Sequence, residues 1–184
     1  MGSTLGGVTE SLSPRQYGYA GTPLGRVLIV TAGGQLVGLH FAGHARTPNV
    51  RGHTRGTREP MLMVRDQLQE YFHGDRTRFE LPLRLEGTPF QIAVWSALLE
   101  IPHGRTSTYG EIAAGLGLPR GARAVGAANG QNPISIVVPC HRLIGADGAL
   151  TGYGWGLDRK RRLLELEGGD PVTRIAPARS GSGR

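Results

Sequence analysis

The chain changes its pattern at Thr88-Pro89, and this change restricts the possible fold more than any other feature. Before it, the β-rich runs 24–30 and 36–41 are separated by Gly33-Gly34, which is typical of an antiparallel hairpin. After it, Thr88 suits a helix cap, Pro89 suits the first helical position, and apolar residues follow at helical spacing. The sequence therefore predicts an α+β fold, with a small antiparallel sheet first and helices after it.

The same patterns divide the chain into segments. We expect flexible tails over 1–14 and 169–184, because both segments are rich in small and polar residues. Between them we expect an N-terminal α/β domain over 15–86 and a C-terminal, mainly helical domain over 87–168.

Within the first domain, apolar spacing predicts a helix over 60–72, and a further strand is expected over 79–85. The intervening 44–58 segment is a loop that contains several arginines, namely Arg46, Arg51, Arg55 and Arg58. These side chains suit a solvated loop at least as well as a patch for nucleic acid.

Composition restricts the cellular compartment and the kind of partner that we expect. The single cysteine cannot form an internal disulfide and excludes a multi-cysteine zinc site. No secretory leader or membrane span is visible, so we expect a cytoplasmic protein without a membrane partner. A net charge of +7 and a pI near 10.5 favour a polyanionic partner.

Residues 108–129 have a helix-turn-helix pattern. Thr108 and Glu111 form a capping box, Gly117-Leu118-Pro119 marks a turn, and a second helix is expected from about Arg120 to Asn129. One face of that helix is almost bare, and it comprises Ala122, Arg123, Gly126, Ala127 and Gly130. Such a face suits either a minor groove of DNA or close packing against another helix, and Ala124, Val125 and Ala128 are expected to point inward.

The cysteine stands in a conspicuous setting. An apolar run over 134–138, expected to be a strand, leads to Cys140 and His141, and an Asp147-Gly148 hairpin signal follows. A reactive cysteine needs help to become a thiolate, which a neighbouring histidine supplies. A buried cysteine with a purely packing role is the alternative.

Three motifs together resemble a known family. Pro139-Cys140-His141-Arg142, with Asn132-Pro133 upstream and Thr151-Gly152-Tyr153-Gly154 downstream, is similar to the signature of the O6-alkylguanine-DNA alkyltransferases. The resemblance implies a ribonuclease H-like first domain and an alkyltransferase second domain that contains the helix-turn-helix.

It also implies an activity, which is irreversible, single-turnover transfer of an alkyl group from O6-alkylguanine, and from O4-alkylthymine, to Cys140. The implied partner is double-stranded DNA containing alkylated guanine, bound at its minor groove with the damaged base flipped out. No cofactor or metal is implied, and the protein is expected to act as a monomer, with cooperative assembly on DNA left open.

The resemblance assigns catalytic roles to five residues. Cys140 is the nucleophile, His141 its base through a water molecule, and Glu167 orients and stabilises the imidazole. Tyr109 donates a proton or hydrogen bond to the guanine, and Asn132 braces the active-site loop. Taken without the resemblance, Glu167 suits a surface carboxylate and Tyr109 a core aromatic.

The resemblance also assigns binding residues. The guanine pocket is lined by Tyr109, Ser135, Leu143, Tyr153 and Gly154, and the DNA face comprises Thr108, Ala122, Arg123 and Gly126, with Arg123 filling the space of the extruded base. Trp155 and Ser135 stand where many relatives carry glycine and proline, which affects the width of the pocket mouth. The run Arg159–Arg162 is expected to be a solvated helical face.

Two other classes of function compete with this one. A non-enzymatic helix-turn-helix protein that binds DNA or alkyl lesions would use the helices and not the thiol. A Cys-His hydrolase would use the thiol, but the sequence shows no oxyanion loop.

Overall fold

The structure, a computed structural model, describes residues 14–168. The tails predicted over 1–14 and 169–184 lie outside the described residues, apart from Pro14. The described part has a strand-rich first half and a helical second half, so the predicted α+β class is confirmed.

The first half is built on a four-stranded sheet in the order β3-β2-β1-β4. Its strands are β1 (Arg15–Ala20), β2 (Val27–Ala32), β3 (Gln35–Phe41) and β4 (Thr54–Arg55). The pairs β1-β2 and β2-β3 are antiparallel, and β1-β4 is parallel. Gly33 and Gly34 have φ values of 57° and 76°, as a two-residue hairpin turn requires, so the predicted hairpin is confirmed. Helix α1 (Met61–His73) follows.

The strand predicted over 79–85 is wrong. This segment makes one isolated bridge to β3, between Leu36 and Leu83. Two backbone hydrogen bonds flank it, from Leu36 N to Pro82 O and from Arg84 N to Leu36 O. Pro82 has no amide hydrogen to donate, and the pairing extends no further.

The second half contains four helices and one short strand pair among the described residues. The helices are α2 (Pro89–Leu99), α3 (Tyr109–Gly115), α4 (Ala122–Gly130) and α5 (Leu157–Leu166), and the strands are β5 (Ser107–Thr108) and β6 (Leu143–Ile144). Thr88 caps α2 as predicted. The helix-turn-helix formed by α3 and α4 is also confirmed, although α4 begins at Ala122 and not near Arg120.

The strand predicted over 134–138 is a tight turn instead. Val137 N donates to Ser135 O, Val138 N donates to Ile134 O, and Ile136 has a φ of 72°. An apolar run shows burial but does not separate a strand from a buried turn. At Asp147-Gly148 the predicted reversal exists, since Gly145 N donates to Ala149 O, but β6 pairs with β5 in parallel and not across that reversal.

The sheet holds the 134–138 turn in place. Leu39 N in β3 donates to Pro133 O at 2.9 Å, and Ser135 N donates back to Leu39 O at 2.9 Å. One buried core runs through both halves, and it includes Leu39, Tyr71, Trp95, Ile134 and Leu163. The first half therefore positions the segment that leads to Cys140. No helix between residues 14 and 168 combines the length and apolarity needed to cross a bilayer.

Candidate active site

Cys140 lies in the interior, at the start of a short 3-10 turn (Cys140–Arg142) that follows the 134–138 turn. Its side chain is buried, and burial raises the pKa of the thiol to about 11, although a hydrogen bond with Asn132 and the charge of Lys160 act in the opposite direction. The thiol is therefore protonated at neutral pH. A base must remove its proton before the sulfur becomes a strong nucleophile.

His141 and Glu167 form a buried pair beside this thiol. The Nε2 atom of His141 lies 2.8 Å from Oε1 of Glu167, and both side chains are fully buried. Because a carboxylate only accepts hydrogen bonds, Nε2 carries the hydrogen and Nδ1 is the acceptor. Nδ1 is buried and has no hydrogen-bond partner within residues 14–168. Burial lowers the pKa of His141, and Glu167 partly opposes that shift.

Glu167 is held by several donors from both halves of the protein. Arg142 donates to Oε2 through Nε and to Oε1 through Nη2, each at 2.9 Å. Tyr71 of α1 donates its hydroxyl hydrogen to Oε1 at 2.8 Å. Burial alone would raise the pKa of Glu167, but His141 and Arg142 outweigh it and hold this pKa well below its usual range. The carboxylate therefore stays ionised beside His141.

Asn132 joins the end of α4 to the turn before Cys140. Its Nδ2 donates to Val138 O at 2.8 Å, and its Oδ1 accepts from Ile134 N at 3.0 Å. The buried amide thus fixes both ends of the 134–138 turn. This is the geometry expected of a residue that braces the nucleophile.

Tyr109, the first residue of α3, lies between α4 and the 151–154 segment. Its hydroxyl donates to Thr151 O at 3.0 Å. A Cβ atom at Gly152 would lie 2.6 Å from that hydroxyl, and one at Gly126 would lie 3.7 Å from the ring. Burial raises the pKa of Tyr109, so the phenol remains a hydrogen-bond donor at neutral pH.

The other predicted pocket residues are buried or half-buried. Leu143 and Tyr153 are buried, and the Tyr153 hydroxyl has no hydrogen-bond partner in the described part of the chain. Ser135 is also buried, and its hydroxyl accepts from Nε1 of Trp155 at 2.5 Å. The two residues expected to affect the width of the pocket mouth therefore contact each other.

The predicted DNA face on α4 is partly exposed. Arg123 is exposed, Ala122 and Gly126 are half-buried, and Val125 and Ala128 point inward. The inward orientation predicted for Ala124 is wrong, because this residue is exposed. Thr108 is buried and its hydroxyl accepts from Glu111 N as the cap of α3, so a DNA contact through this hydroxyl stays a prediction.

Three polar residues at the site were missed by sequence reasoning, namely Tyr71, Arg142 and Lys160. Lys160, expected on a solvated face, is fully buried, and its ammonium donates to Leu143 O and Thr151 O. Burial lowers its pKa to about 8. The signal was present in the spacing, because Lys160 precedes the buried Leu163, Leu164 and Glu167 by three, four and seven residues.

Two family models match this chain, one for each half. The family model for the 6-O-methylguanine DNA methyltransferase DNA binding domain matches residues 89–169, and the model for its ribonuclease-like domain matches residues 16–85. A methylated-DNA–protein-cysteine methyltransferase of Mycobacterium tuberculosis is 50% identical over 148 residues, which is 79% of this chain and 88% of that protein. One from Haemophilus influenzae is 45% identical over 152 residues, covering 82% and 85%.

Solved structures give the same result. The crystal structure of Mycobacterium tuberculosis O6-methylguanine methyltransferase matches with a TM-score of 0.77 and 48% identity, covering 83% of this chain and 92% of that one. A structure of the Mycobacterium tuberculosis protein in complex with DNA matches with the same TM-score of 0.77. The chain therefore belongs to the methylated-DNA–protein-cysteine methyltransferase family, with both the ribonuclease-like and the DNA binding domain of the 6-O-methylguanine DNA methyltransferases.

Proposed function

We propose that this protein repairs alkylated DNA by direct reversal, and that each molecule reacts once. Cys140 takes the alkyl group from O6 of guanine, and also from O4 of thymine, and keeps it as a thioether. The observation that carries this proposal is the burial of Cys140 beside the His141–Glu167 pair, immediately after the helix-turn-helix. A protein that only binds DNA has no need of such a pair.

The chemistry follows from the protonation states. The thiol proton passes through a water molecule to Nδ1 of His141, the buried acceptor atom, and Glu167 stabilises the imidazolium that forms. The sulfur then attacks the alkyl carbon, an S–C bond forms, and the C–O6 bond breaks. The electron pair of that bond goes to the guanine. Tyr109 turns its hydroxyl hydrogen from Thr151 O to the guanine and donates a proton or hydrogen bond to it, so that the base leaves without a full negative charge.

The damaged base must leave the duplex for this reaction. O6 lies on a base edge inside the stack, where a buried thiol cannot approach it in line with the breaking bond. The smooth face of α4 suits a widened minor groove, and Arg123 fills the space of the extruded base. Ala122 and Gly126 let the DNA backbone approach, and Leu143, Tyr153 and Gly154 receive the guanine.

The test is mass mapping after incubation with a duplex oligonucleotide that carries O6-methylguanine. We expect one added methyl group per protein molecule, located on the Cys140 peptide, and none in Cys140→Ala. A second round of substrate should add nothing, since the thioether is not regenerated. Methyl removal without label on Cys140 would contradict the proposal.

A binding assay with the lesion duplex and a turnover assay with an ester substrate separate the competing functions. Tight binding of the lesion duplex with no methyl transfer would identify a lesion-binding protein. Repeated turnover of an ester substrate would identify a hydrolase. We propose that the protein acts as a monomer. The stoichiometry of DNA binding tests separately whether the molecules assemble cooperatively along DNA.

A further inference from the structure

The loop after β3 extends from the N-terminal half to the end of α4, and it carries Arg46 there. The Nη1 atom of Arg46 donates to Gly130 O at 2.5 Å. A Cβ atom at residue 154 would lie 2.8 Å from the same nitrogen, so Gly154 leaves the room that this guanidinium occupies. Arg46 thus lies between the last turn of α4 and the 152–154 segment.

Arg46 also lines a groove of about 360 Å³. Small residues of α4 form one wall, the 152–154 segment forms the other, and the lining consists of Arg46, Gly126, Ala127, Gly130, Gln131 and 152–154. Tyr153, which lines the same groove, is 8% exposed and has an unpaired hydroxyl among the described residues. That hydroxyl is itself buried, so the charged group that the groove presents to a ligand is the Arg46 guanidinium.

The charge of Arg46 is not neutralised within residues 14–168. Its side chain is exposed, and no carboxylate of that range pairs with it, whereas Arg15, Arg76 and Arg84 each pair with a glutamate. A guanidinium has five N–H donors, and the bond to Gly130 O uses one of them. The others suit the bidentate binding of a phosphate.

The loop is also ordered by its own contacts. The Thr47 hydroxyl donates to Phe41 O at 2.7 Å and accepts from His44 N at 3.1 Å. The ring of His44 lies 5.2 Å from that of Trp155. A side chain on a fixed loop loses less conformational entropy on binding than one on a mobile loop.

We propose that Arg46 binds a phosphate of the DNA duplex, at the opposite end of α4 from Arg123. This inference rests on the proposed function. The seven residues from Arg123 to Gly130 span about 10 Å of helix axis, so a cation flanks the smooth face at each end. The N-terminal half then contacts DNA directly and does more than support the thiol.

The test compares Arg46→Gln and Arg46→Lys with Arg51→Gln, which removes an equal charge from the same loop. The affinity for duplexes with and without O6-methylguanine is measured by fluorescence anisotropy between about 50 and 200 mM salt. Loss of one phosphate contact lowers the slope of log K against log salt by about 0.9. We expect this change in Arg46→Gln on both duplexes, most of the wild-type slope in Arg46→Lys, and little change in Arg51→Gln.

Arg46→Lys keeps a positive charge. In Arg46→Gln the amide lies two bonds closer to the backbone than Nη1, so the bond to Gly130 O is lost with the charge; the melting temperature measures the loss of the link between the two halves, and the salt slope measures the loss of the charge. An unchanged slope in this variant, with or without a lower melting temperature, would overturn the proposal. So would equal slope changes in Arg46→Gln and Arg51→Gln. On the duplex without O6-methylguanine the slope is measured without methyl transfer, so failure of the wild-type protein to transfer methyl would count against the proposed function alone.

Discussion

The interior around Glu167 and the outer face of α4 are built on opposite principles. Inside, a fully buried carboxylate accepts hydrogen bonds from His141, Arg142 and Tyr71. Outside, α4 presents glycine and alanine with one exposed arginine, Arg123. The interior is complete before any substrate arrives, whereas the outer face leaves its space and its charge for the DNA.

This difference predicts different sensitivities. Buried, paired charges are screened little by salt but depend on pH through their protonation states. The affinity that exposed cations give for phosphates falls strongly as the salt concentration rises. We therefore expect variants of the interior to change the pH dependence of stability and activity, and variants of the outer face to change the salt dependence of DNA binding.

The largest effect is expected for Glu167→Gln. The change leaves the buried Arg142 without a full counter-charge and removes the group that stabilises the His141 imidazolium. We expect methyl transfer to slow by at least about 100-fold, and the free energy of unfolding to fall by about 3–5 kcal/mol. Rapid-quench assays and urea unfolding measure the two losses.

Glu165→Gln is the matched control, since Glu165 is exposed in the last turn of α5, two residues before Glu167, and the unfolding free energy of this variant should change by less than about 0.5 kcal/mol. The pH dependence adds a second check. Because folding lowers the pKa of Glu167, its stabilisation is present above its usual pKa of 4.5 and is lost as the pH falls below that value. Glu167→Gln should weaken this acid destabilisation, and an unaltered acid limb would contradict the buried ion cluster.

The second effect concerns the thiol itself. The native pKa of Cys140 is about 11 against a usual value of 9.0, so at neutral pH the thiolate fraction is about 100-fold lower than in the unfolded chain. Iodoacetamide should therefore react at least about 100-fold more slowly with the native protein than with the denatured one. The signal is unambiguous because the chain contains one cysteine. A native thiol that titrates below neutral pH would show that no base is needed, which would contradict the roles proposed for His141 and Glu167.

The outer face is tested by Arg123→Ala, with Arg120→Ala as the control because both side chains are exposed at this helix start. Without Arg123 the gap left by the extruded base is unfilled, so repair of duplex DNA should fall by more than about tenfold. Reaction with a free O6-alkylguanine base should fall far less. Single-turnover rates on both substrates decide the matter, and equal losses would remove the role of Arg123 in base extrusion.

The sequence predicted elements best where a local signal is sufficient. The Gly33-Gly34 hairpin and the Thr88 cap depend on neighbouring residues and were predicted correctly. The strand predicted over 134–138 is wrong because Asn132 and β3 hold this segment as a turn. β3 is distant in the sequence and Asn132 acts through its side chain, so the local pattern shows neither contact. The Pro139-Cys140-His141-Arg142 motif alone was sufficient to predict Cys140 as the nucleophile and His141 as its base.

Contacts between residues that are far apart in the sequence could not be predicted, for the same reason. Tyr71 contacts Glu167 across 96 positions, and Arg142 stands in the motif without any sign that its guanidinium turns toward Glu167. Lys160 carried a usable signal in its spacing with buried leucines, but a run of basic residues concealed it. Composition therefore misplaced a residue that periodicity would have placed correctly.

The smallest effect is expected at the bond from Trp155 Nε1 to Ser135 Oγ, which links the segment after Tyr153 to the turn before Cys140. Ser135→Ala leaves the buried indole N–H without an acceptor and should cost about 1–3 kcal/mol of unfolding free energy. In a Trp155→Phe background that N–H is already absent, so the serine change should cost less than about 0.5 kcal/mol. Urea unfolding of the four proteins gives the coupling energy directly. Additive losses would mean that the bond does not tie the segment after Tyr153 to the turn before Cys140, and that the pocket wall moves independently of the nucleophile.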